Sequence, residues 1–318
     1  MIRTAARRIA GHARRTPLLS SPFLDDLAGR RILVKPECLQ HTGSFKFRGA
    51  FNALAAMDDA TRARGVIAFS SGNHAQGVAY AAKLHDTSAV IIMPSDAPQL
   101  KIDNTRALGA DVILYDRDTE DRDAIGARLS TDRNLTLIKP FDDPNVIAGQ
   151  GTTGLEIAED ANALGIENAD VLVCCGGGGL TSGIALALAA DAPTLRARPV
   201  EPAGFDDVAR SLATGAIQRN NATSGNICDA IITPQPGDLT WPILHRLCGP
   251  GLSVTEDQCL SAMAQAFLRL KLVAEPGGAA ALAAALHSDD IETDTVIVTI
   301  SGGNVDPAMF ARALDTLR

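Results

Sequence analysis

The run Val171-Leu172-Val173-Cys174-Cys175 leads directly into Gly176-Gly177-Gly178-Gly179-Leu180-Thr181-Ser182-Gly183-Ile184-Ala185. A short apolar segment, a glycine tract and an alanine-rich helical pattern follow one another, which predicts strand, turn and helix. Glycines let successive backbone N–H groups point inward, and the helix N-terminus adds favourable partial charge, so the turn suits a phosphate. Four consecutive glycines cost more chain entropy than a tight turn alone explains. The lysine of a nucleotide-triphosphate loop is missing, which removes that assignment.

The same order recurs twice. Val66-Ile67-Ala68-Phe69 feeds Ser70-Ser71-Gly72-Asn73-His74, with a helical pattern from Ala75. Two hydroxyls, an amide and an imidazole at a strand end can anchor a polar ligand such as a carboxylate, or can cap a helix. Val296-Ile297-Val298-Thr299-Ile300 feeds Ser301-Gly302-Gly303-Asn304. Three glycine- and serine-rich junctions after strands suit the mouth of an open parallel sheet. Further apolar runs lie near Ile32 to Lys35, Ala89 to Met93, Val112 to Tyr115 and Leu135 to Ile138. Helical patterns separate most of them, which predicts an α/β chain of mostly parallel sheets covered by helices.

Lys46 sits between two phenylalanines in Thr42-Gly43-Ser44-Phe45-Lys46-Phe47-Arg48-Gly49-Ala50, with no acid in the stretch and a second cation two residues on. An ammonium in apolar surroundings, close to another cation, loses its proton more easily than in water. The neutral amine can form an imine with a carbonyl cofactor and later abstract a proton. Taken alone, Phe-Lys-Phe is a lysine whose stem covers apolar surface; the three junctions supply what a cofactor would need.

With 318 residues and 46% apolar content, the chain can bury two modest cores. A net charge of −8 and the lack of a basic block point away from nucleic acid and anionic membrane surfaces. The six cysteines are scattered, so neither a disulfide framework nor a chelating pair follows, and a reducing cytoplasm is expected. No apolar run approaches the length that spans a bilayer. Arg3, Arg7, Arg8, Arg14 and Arg15, with no acid before Asp25, give the N-terminus the look of a transit peptide.

Together the lysine motif, Ser-Ser-Gly-Asn-His, the tetraglycine loop and Ser-Gly-Gly-Asn resemble, in order and spacing, the pyridoxal-phosphate enzymes of the threonine dehydratase and serine racemase group. Asn145-Val146-Ile147-Ala148-Gly149-Gln150-Gly151-Thr152 and Val254-Thr255-Glu256-Asp257 also match. The resemblance runs from about Thr16 to Asp306. It implies a tryptophan synthase beta-like fold with a large domain of residues 1–55 and 143–318 and a small domain of residues 56–142 inserted into it. The active site would lie in the cleft between them. The arginine-rich start becomes a leading helix of the mature chain, and the expected assembly is a homodimer.

Residue by residue, the resemblance implies that Lys46 holds pyridoxal 5'-phosphate and acts on the substrate Cα proton. Gly176, Gly177, Gly178, Gly179 and Leu180 would bind the phosphate, Phe45 would pack against the ring, and Asn73 would hydrogen-bond its hydroxyl. Ser301 would face the pyridine nitrogen; a neutral hydroxyl there cannot stabilise a pyridinium as an aspartate would, which favours rapid loss of a β-hydroxyl. The expected reaction is dehydration and deamination of L-threonine or L-serine to a 2-keto acid and ammonia. Ser70, Ser71, Gly72 and His74 would surround the substrate, His74 as an organiser of the loop. In racemases of the group the serine matching Ser71 reprotonates from the face opposite the lysine, which leaves racemisation as the alternative. Glu201 and Asp207, with the Phe205 carbonyl between them, match the group's metal segment, and hard oxygen ligands suit Mg²⁺ or Ca²⁺.

Several positions depart from the pattern. Cys228-Asp229-Ala230 stands where the group usually has Ala-Asp-Gly, and Phe141 stands where serine racemases carry asparagine, which tilts the reading toward dehydratases. Arg122 falls where a racemase arginine can meet an acidic substrate tail, which keeps 3-hydroxyaspartate among the substrates. Cys228 to Trp241 is also similar to dehydratases encoded with hydroxyectoine breakdown. Two other classes compete. Gly149-Gln150-Gly151-Thr152-Thr153-Gly154 is formally G-x-G-x-x-G, but at most four residues of strand precede it, too few for a nicotinamide-binding βαβ unit. A small-molecule sensor on a retired scaffold would not need Lys46.

Overall fold

The computed structural model describes residues 1–317 apart from Ser71, Pro98, Arg117, Asp118 and Thr223, and only the backbone of Asp123. Its strands are β1 (Leu19–Ser20), β2 (Arg31–Pro36), β3 (Val66–Phe69), β4 (Ala89–Pro94), β5 (Asp111–Tyr115), β6 (Thr136–Leu137), β7 (Ala169–Cys174), β8 (Leu195–Pro202), β9 (Leu252–Val254) and β10 (Thr295–Ile300). They form two sheets, ordered β1-β2-β10-β7-β8-β9 and β5-β4-β3-β6. Every pairing is parallel except β1 with β2. The apolar character of β4 and of residues 171–174 in β7 follows, because strands covered by helices on both faces bury every side chain.

The strands of the smaller sheet all fall between residues 66 and 137. Helix Lys46–Ala55 packs on helix Asn73–Leu84 and on helix Pro144–Gln150. Phe47, Phe51, Leu54 and Val146 thereby share one core with Val66, Ile91 and Met93 of that sheet. Lys46 is thus the first residue of a helix that the small-sheet core holds in place. The larger sheet carries a core on each face, one built around Val34, Leu172, Val298 and the alanine-rich helix Pro276–His287. The other is built around Val171, Val173 and helix Gly179–Asp191.

The arginine-rich start is a helix, Ile2–Ile9, that buries Ala5 and Ile9. Arg3 pairs with Asp191, and Arg15 with Asp160 and with Glu159 at 2.6 Å. No apolar run in the sequence announces β8, yet it lies inside the larger sheet. Its interruptions are paired: Arg198, 3% exposed, donates to fully buried Asp170 of β7 at 2.9 Å, while Arg196 donates to the same carboxylate at 2.8 Å. No helix among the described residues is long and apolar enough to cross a membrane.

Candidate active site

The loops after β3, β7 and β10 open on a pocket of about 290 Å³, with β4 and β5 contributing Ile92, Pro94 and Tyr115 to its far wall. Lys46 stands at its base. Its Nζ donates to the Pro140 carbonyl at 2.8 Å and lies 5.1 Å from the centroid of the Phe45 ring. Burial pushes the amine down to about 8, with the carboxylate of Glu275 pulling the other way. The apolar surroundings expected from sequence are present; the neighbouring cation is not the cause. Arg48 points away, donating to buried Glu37 at 2.7 and 2.8 Å and to half-buried Glu156 at 2.6 Å. That cluster instead fixes the first turn of the helix that Lys46 begins.

Opposite the lysine, the tetraglycine turn enters helix Gly179–Asp191. Gly178 has φ of +91°, a conformation that L side chains rarely adopt. At Gly177 a Cβ would fall 2.3 Å from the Phe141 ring, so the glycine lets that ring close over the loop. Thr240 holds the turn from behind, its hydroxyl donating to the Gly177 carbonyl at 2.7 Å. Gly176, Gly179 and Leu180 complete this wall of the pocket. Ser301 is buried on the third loop; its carbonyl accepts from the Phe45 N–H at 3.2 Å, which ties it to the lysine segment.

Ser70 and Gly72 line the entrance, the Gly72 N–H donating to the Ser70 hydroxyl at 3.1 Å; Ser71 lies outside the described residues. His74 is buried with Nε2 2.9 Å from the Ile138 carbonyl. Burial, with Lys46 nearby, pushes its pKa down to about 3, so the ring is neutral and Nε2 carries the proton it donates. That is an organiser's contact. Asn73 lines the pocket and is bonded on both sides of its amide, to Asn304 and to Glu275. Arg122 forms part of the wall, its guanidinium 5.5 Å from the centroid of the Phe69 ring.

Glu275 is the residue that sequence reasoning missed. In Glu275-Pro276-Gly277-Gly278 it stands immediately before a helix-starting proline, where an acid reads as a cap. It does occupy the N-cap position, but its side chain makes no capping bond. The carboxyl turns into the pocket instead, and burial pushes it up to about 7.

A second acidic cluster lies behind the tetraglycine loop, at the end of β8. Glu201 and Asp207 are both buried, not solvated. Glu201 accepts from the N–H groups of Val208 and Ala209 at 3.1 and 2.7 Å, and Asp207 Oδ1 accepts from Asn220 at 2.6 Å. Asp207 Oδ2 is buried without a partner. Burial and the facing carboxylate of Asp207 raise Glu201 well above its ordinary value, and burial raises Asp207 to about 6. Phe205 is buried in the turn between them. Two crowded acids with an orphaned oxygen fit a hard cation.

A buried amine that can be neutral, a glycine cup at a helix N-terminus with room only for backbone, and a serine across the pocket define a site for a phosphorylated aldehyde cofactor. The chain belongs to the pyridoxal-phosphate dependent enzyme family, whose model matches residues 9–302. It is 43% identical to an L-threo-3-hydroxyaspartate ammonia-lyase from Pseudomonas sp, over 98% of this chain and 96% of that protein. A serine racemase from Oryza sativa subsp. indica is 39% identical over 98% of this chain and 92% of that one. The crystal structure of a threonine deaminase from T.th. superimposes with a TM-score of 0.90 at 44% identity, covering 96% of this chain and 97% of that one. The chain is a pyridoxal-phosphate-dependent ammonia-lyase of this family, with the family's fold of two mostly parallel sheets.

Proposed function

We propose that the natural reaction is β-elimination from an L-3-hydroxy amino acid such as threonine or serine, giving a 2-keto acid and ammonia. The observation that carries this is Lys46: an amine with a pKa near 8 in a pocket that it shares with the glycine cup and the neutral Ser301 hydroxyl. Pyridoxal phosphate, when bound, supplies the electron withdrawal that acidifies the substrate Cα–H. Phe45 and the loop from Gly176 to Leu180 hold and orient the cofactor, and Asn73 offers an N–H to its ring hydroxyl. Lys46 Nζ takes the Cα proton. That proton passes from Lys46 to the β-hydroxyl, which leaves as water, and the released enamine takes up a water and hydrolyses to keto acid and ammonia.

A second reading concerns the substrate, not the chemistry. Arg122 on the wall gives a β-carboxylate a guanidinium to pair with, which supports 3-hydroxyaspartate; the Pseudomonas relative carries that substrate in its name. A cation held by Glu201, Asp207 and the Phe205 carbonyl, a division into residues 56–142 and the remainder, and a cytoplasmic homodimer belong to the same proposal. The test is a screen of L- and D-3-hydroxy amino acids for keto acid, with chiral analysis of the remaining substrate. Keto acid is expected to predominate, and Ser71→Ala should slow inversion more than elimination, since only inversion needs a proton from the face opposite Lys46. Mostly inverted amino acid with little keto acid would replace the lyase by a racemase. Turnover confined to 3-hydroxyaspartate or a hydroxyectoine-derived compound would keep the chemistry and change the substrate.

A further inference from the structure

Three side chains from distant parts of the sequence form a chain that starts behind the pocket at Asn304 and reaches its wall at Asn73 and Glu275. Asn304 Nδ2 donates to the Thr42 carbonyl at 2.8 Å and to Asn73 Oδ1 at 2.7 Å. Asn73 Nδ2 donates to Glu275 Oε1 at 2.5 Å. The Asn73 amide is therefore gripped by a donor on its oxygen and an acceptor on its nitrogen. Turned over, it would set N–H against N–H on one side and C=O against a carboxyl oxygen on the other. With Oδ1 already accepting from Asn304 and one Nδ2–H given to Glu275, the second Nδ2–H is the donor the amide has left to offer.

The backbone is built around this chain. A Cβ at Gly302 would lie 2.0 Å from Glu275 Oε1 and 3.0 Å from Asn73 Nδ2. One at Gly43, where φ is +73°, would lie 2.7 Å from Asn304 Oδ1. The Glu275 N–H also donates to the Gly302 carbonyl at 3.1 Å, which locks the start of helix Pro276–His287 to the loop after β10.

We propose that Glu275 is a positioning residue for the cofactor: by accepting from Asn73 it fixes the side-chain amide so that the group left facing the pocket is an N–H donor. A fixed donor suits the ring oxygen of pyridoxal phosphate, which carries negative charge when ionised, and a flipped amide would present a carbonyl to it. Either protonation state of Glu275 keeps an acceptor oxygen for Asn73, so the grip does not depend on its charge. The inference rests on the assignment of Asn73 to the ring hydroxyl. The two are separable, because Asn73→Ala with wild-type affinity would sink that assignment whatever Glu275 does.

The experiment is titration of apoenzyme with pyridoxal phosphate, read as the dissociation constant, beside thermal unfolding of each apo variant. Loss of one such hydrogen bond is worth roughly tenfold in affinity. Glu275→Ala should raise the constant by about that factor, and Glu275→Gln, which keeps an acceptor oxygen, by less than about threefold. Asn73→Ala should match Glu275→Ala, and the double variant should be no weaker than Asn73→Ala, because both changes break one chain. Glu275→Ala binding like wild type, Glu275→Gln as damaging as alanine, or effects that multiply in the double variant would each overturn the proposal. Should Glu275→Ala lack a cooperative thermal transition, Glu275→Asp carries the test. It draws the acceptor back from Asn73 by one methylene while keeping the charge and should weaken binding most of the way to the Asn73→Ala value; an unchanged constant would refute the grip.

Discussion

Gly177→Ala is the sharpest probe of the glycine cup. The added Cβ would meet Phe141 Cε2 at 2.3 Å, Cζ at 2.4 Å and Cδ2 at 2.5 Å. Carbon atoms rest comfortably at about 3.5–4.0 Å, so the ring must retreat by more than about 1 Å, and the free space lies across the pocket. Overpacking of this kind costs about 1–3 kcal/mol. If that cost falls on the bound form, cofactor affinity drops roughly 5- to 150-fold. The assay is apoenzyme titration with pyridoxal phosphate, together with the same titration of the Gly177→Ala/Phe141→Ala double variant. Removing the ring should restore much of the lost affinity. Gly178→Ala is the contrast: its difficulty is a backbone φ of +91°, which Phe141→Ala cannot relieve. Wild-type affinity in Gly177→Ala would refute the packing of Phe141 on the loop. A double variant as weak as the single one would place the damage in the backbone N–H groups instead of the ring.

Four other outcomes follow from the same geometry. Because burial lowers Lys46 to about 8, the rate at which apoenzyme captures pyridoxal phosphate should climb as pH rises through 8 and then level off, following the neutral amine. The depressed value also means that the apo chain gains stability as pH rises from about 8 toward the ordinary lysine value of 10.5, where the unfolded chain alone holds the proton. Chelation should lower the melting temperature and Mg²⁺ or Ca²⁺ should restore it, a response that Glu201→Ala/Asp207→Ala should abolish; a persisting response would move the cation elsewhere. Arg48→Met strands the buried carboxylate of Glu37 and leaves Glu156 only Lys35, and should cost about 3–5 kcal/mol in denaturant titration. Burial alone would raise Glu156, yet Arg48 and Lys35 hold it below its ordinary 4.5, so their stabilisation is present above that value and lost as pH falls through the lowered one. The gap between wild type and Arg48→Met should therefore narrow in acid, and a constant gap would discount the pairing.

Much of the fold was legible because strands covered on both faces leave apolar runs, as at Ala89–Pro94 and at residues 171–174 of β7. β8 was not, because Arg196, Arg198, Pro199 and Glu201 break its run. Each charged break is answered from elsewhere: Asp170 of β7 takes both arginines, and the N–H groups of Val208 and Ala209 take Glu201. A pattern search weighs each residue by its own polarity and cannot know that the partner strand carries the matching charge. The two-residue β1 has the opposite defect, with too few residues to form any period.

The site divides along the same line. Where function needs the backbone, the sequence announces it: glycine is the residue that leaves N–H groups and space free, so the tetraglycine cup stands out in one dimension. Where function needs a side chain held by another side chain, it does not. Nothing near Lys46 in sequence reveals that Arg48 is committed to Glu37 and Glu156, nor that the acid acting on the amine is Glu275, from the far end of the chain. The apolar flanks Phe45 and Phe47 indicate the lowered pKa, while the cation at Arg48 adds nothing to it, since an arginine paired with two carboxylates exerts little net field on its neighbour. Glu275 is hidden in the sequence in the same way. An acid before Pro-Gly-Gly at a helix start has a sufficient local explanation as a cap, and only the loop carrying Gly302, which a Cβ would block, reveals that its carboxyl is needed in the pocket.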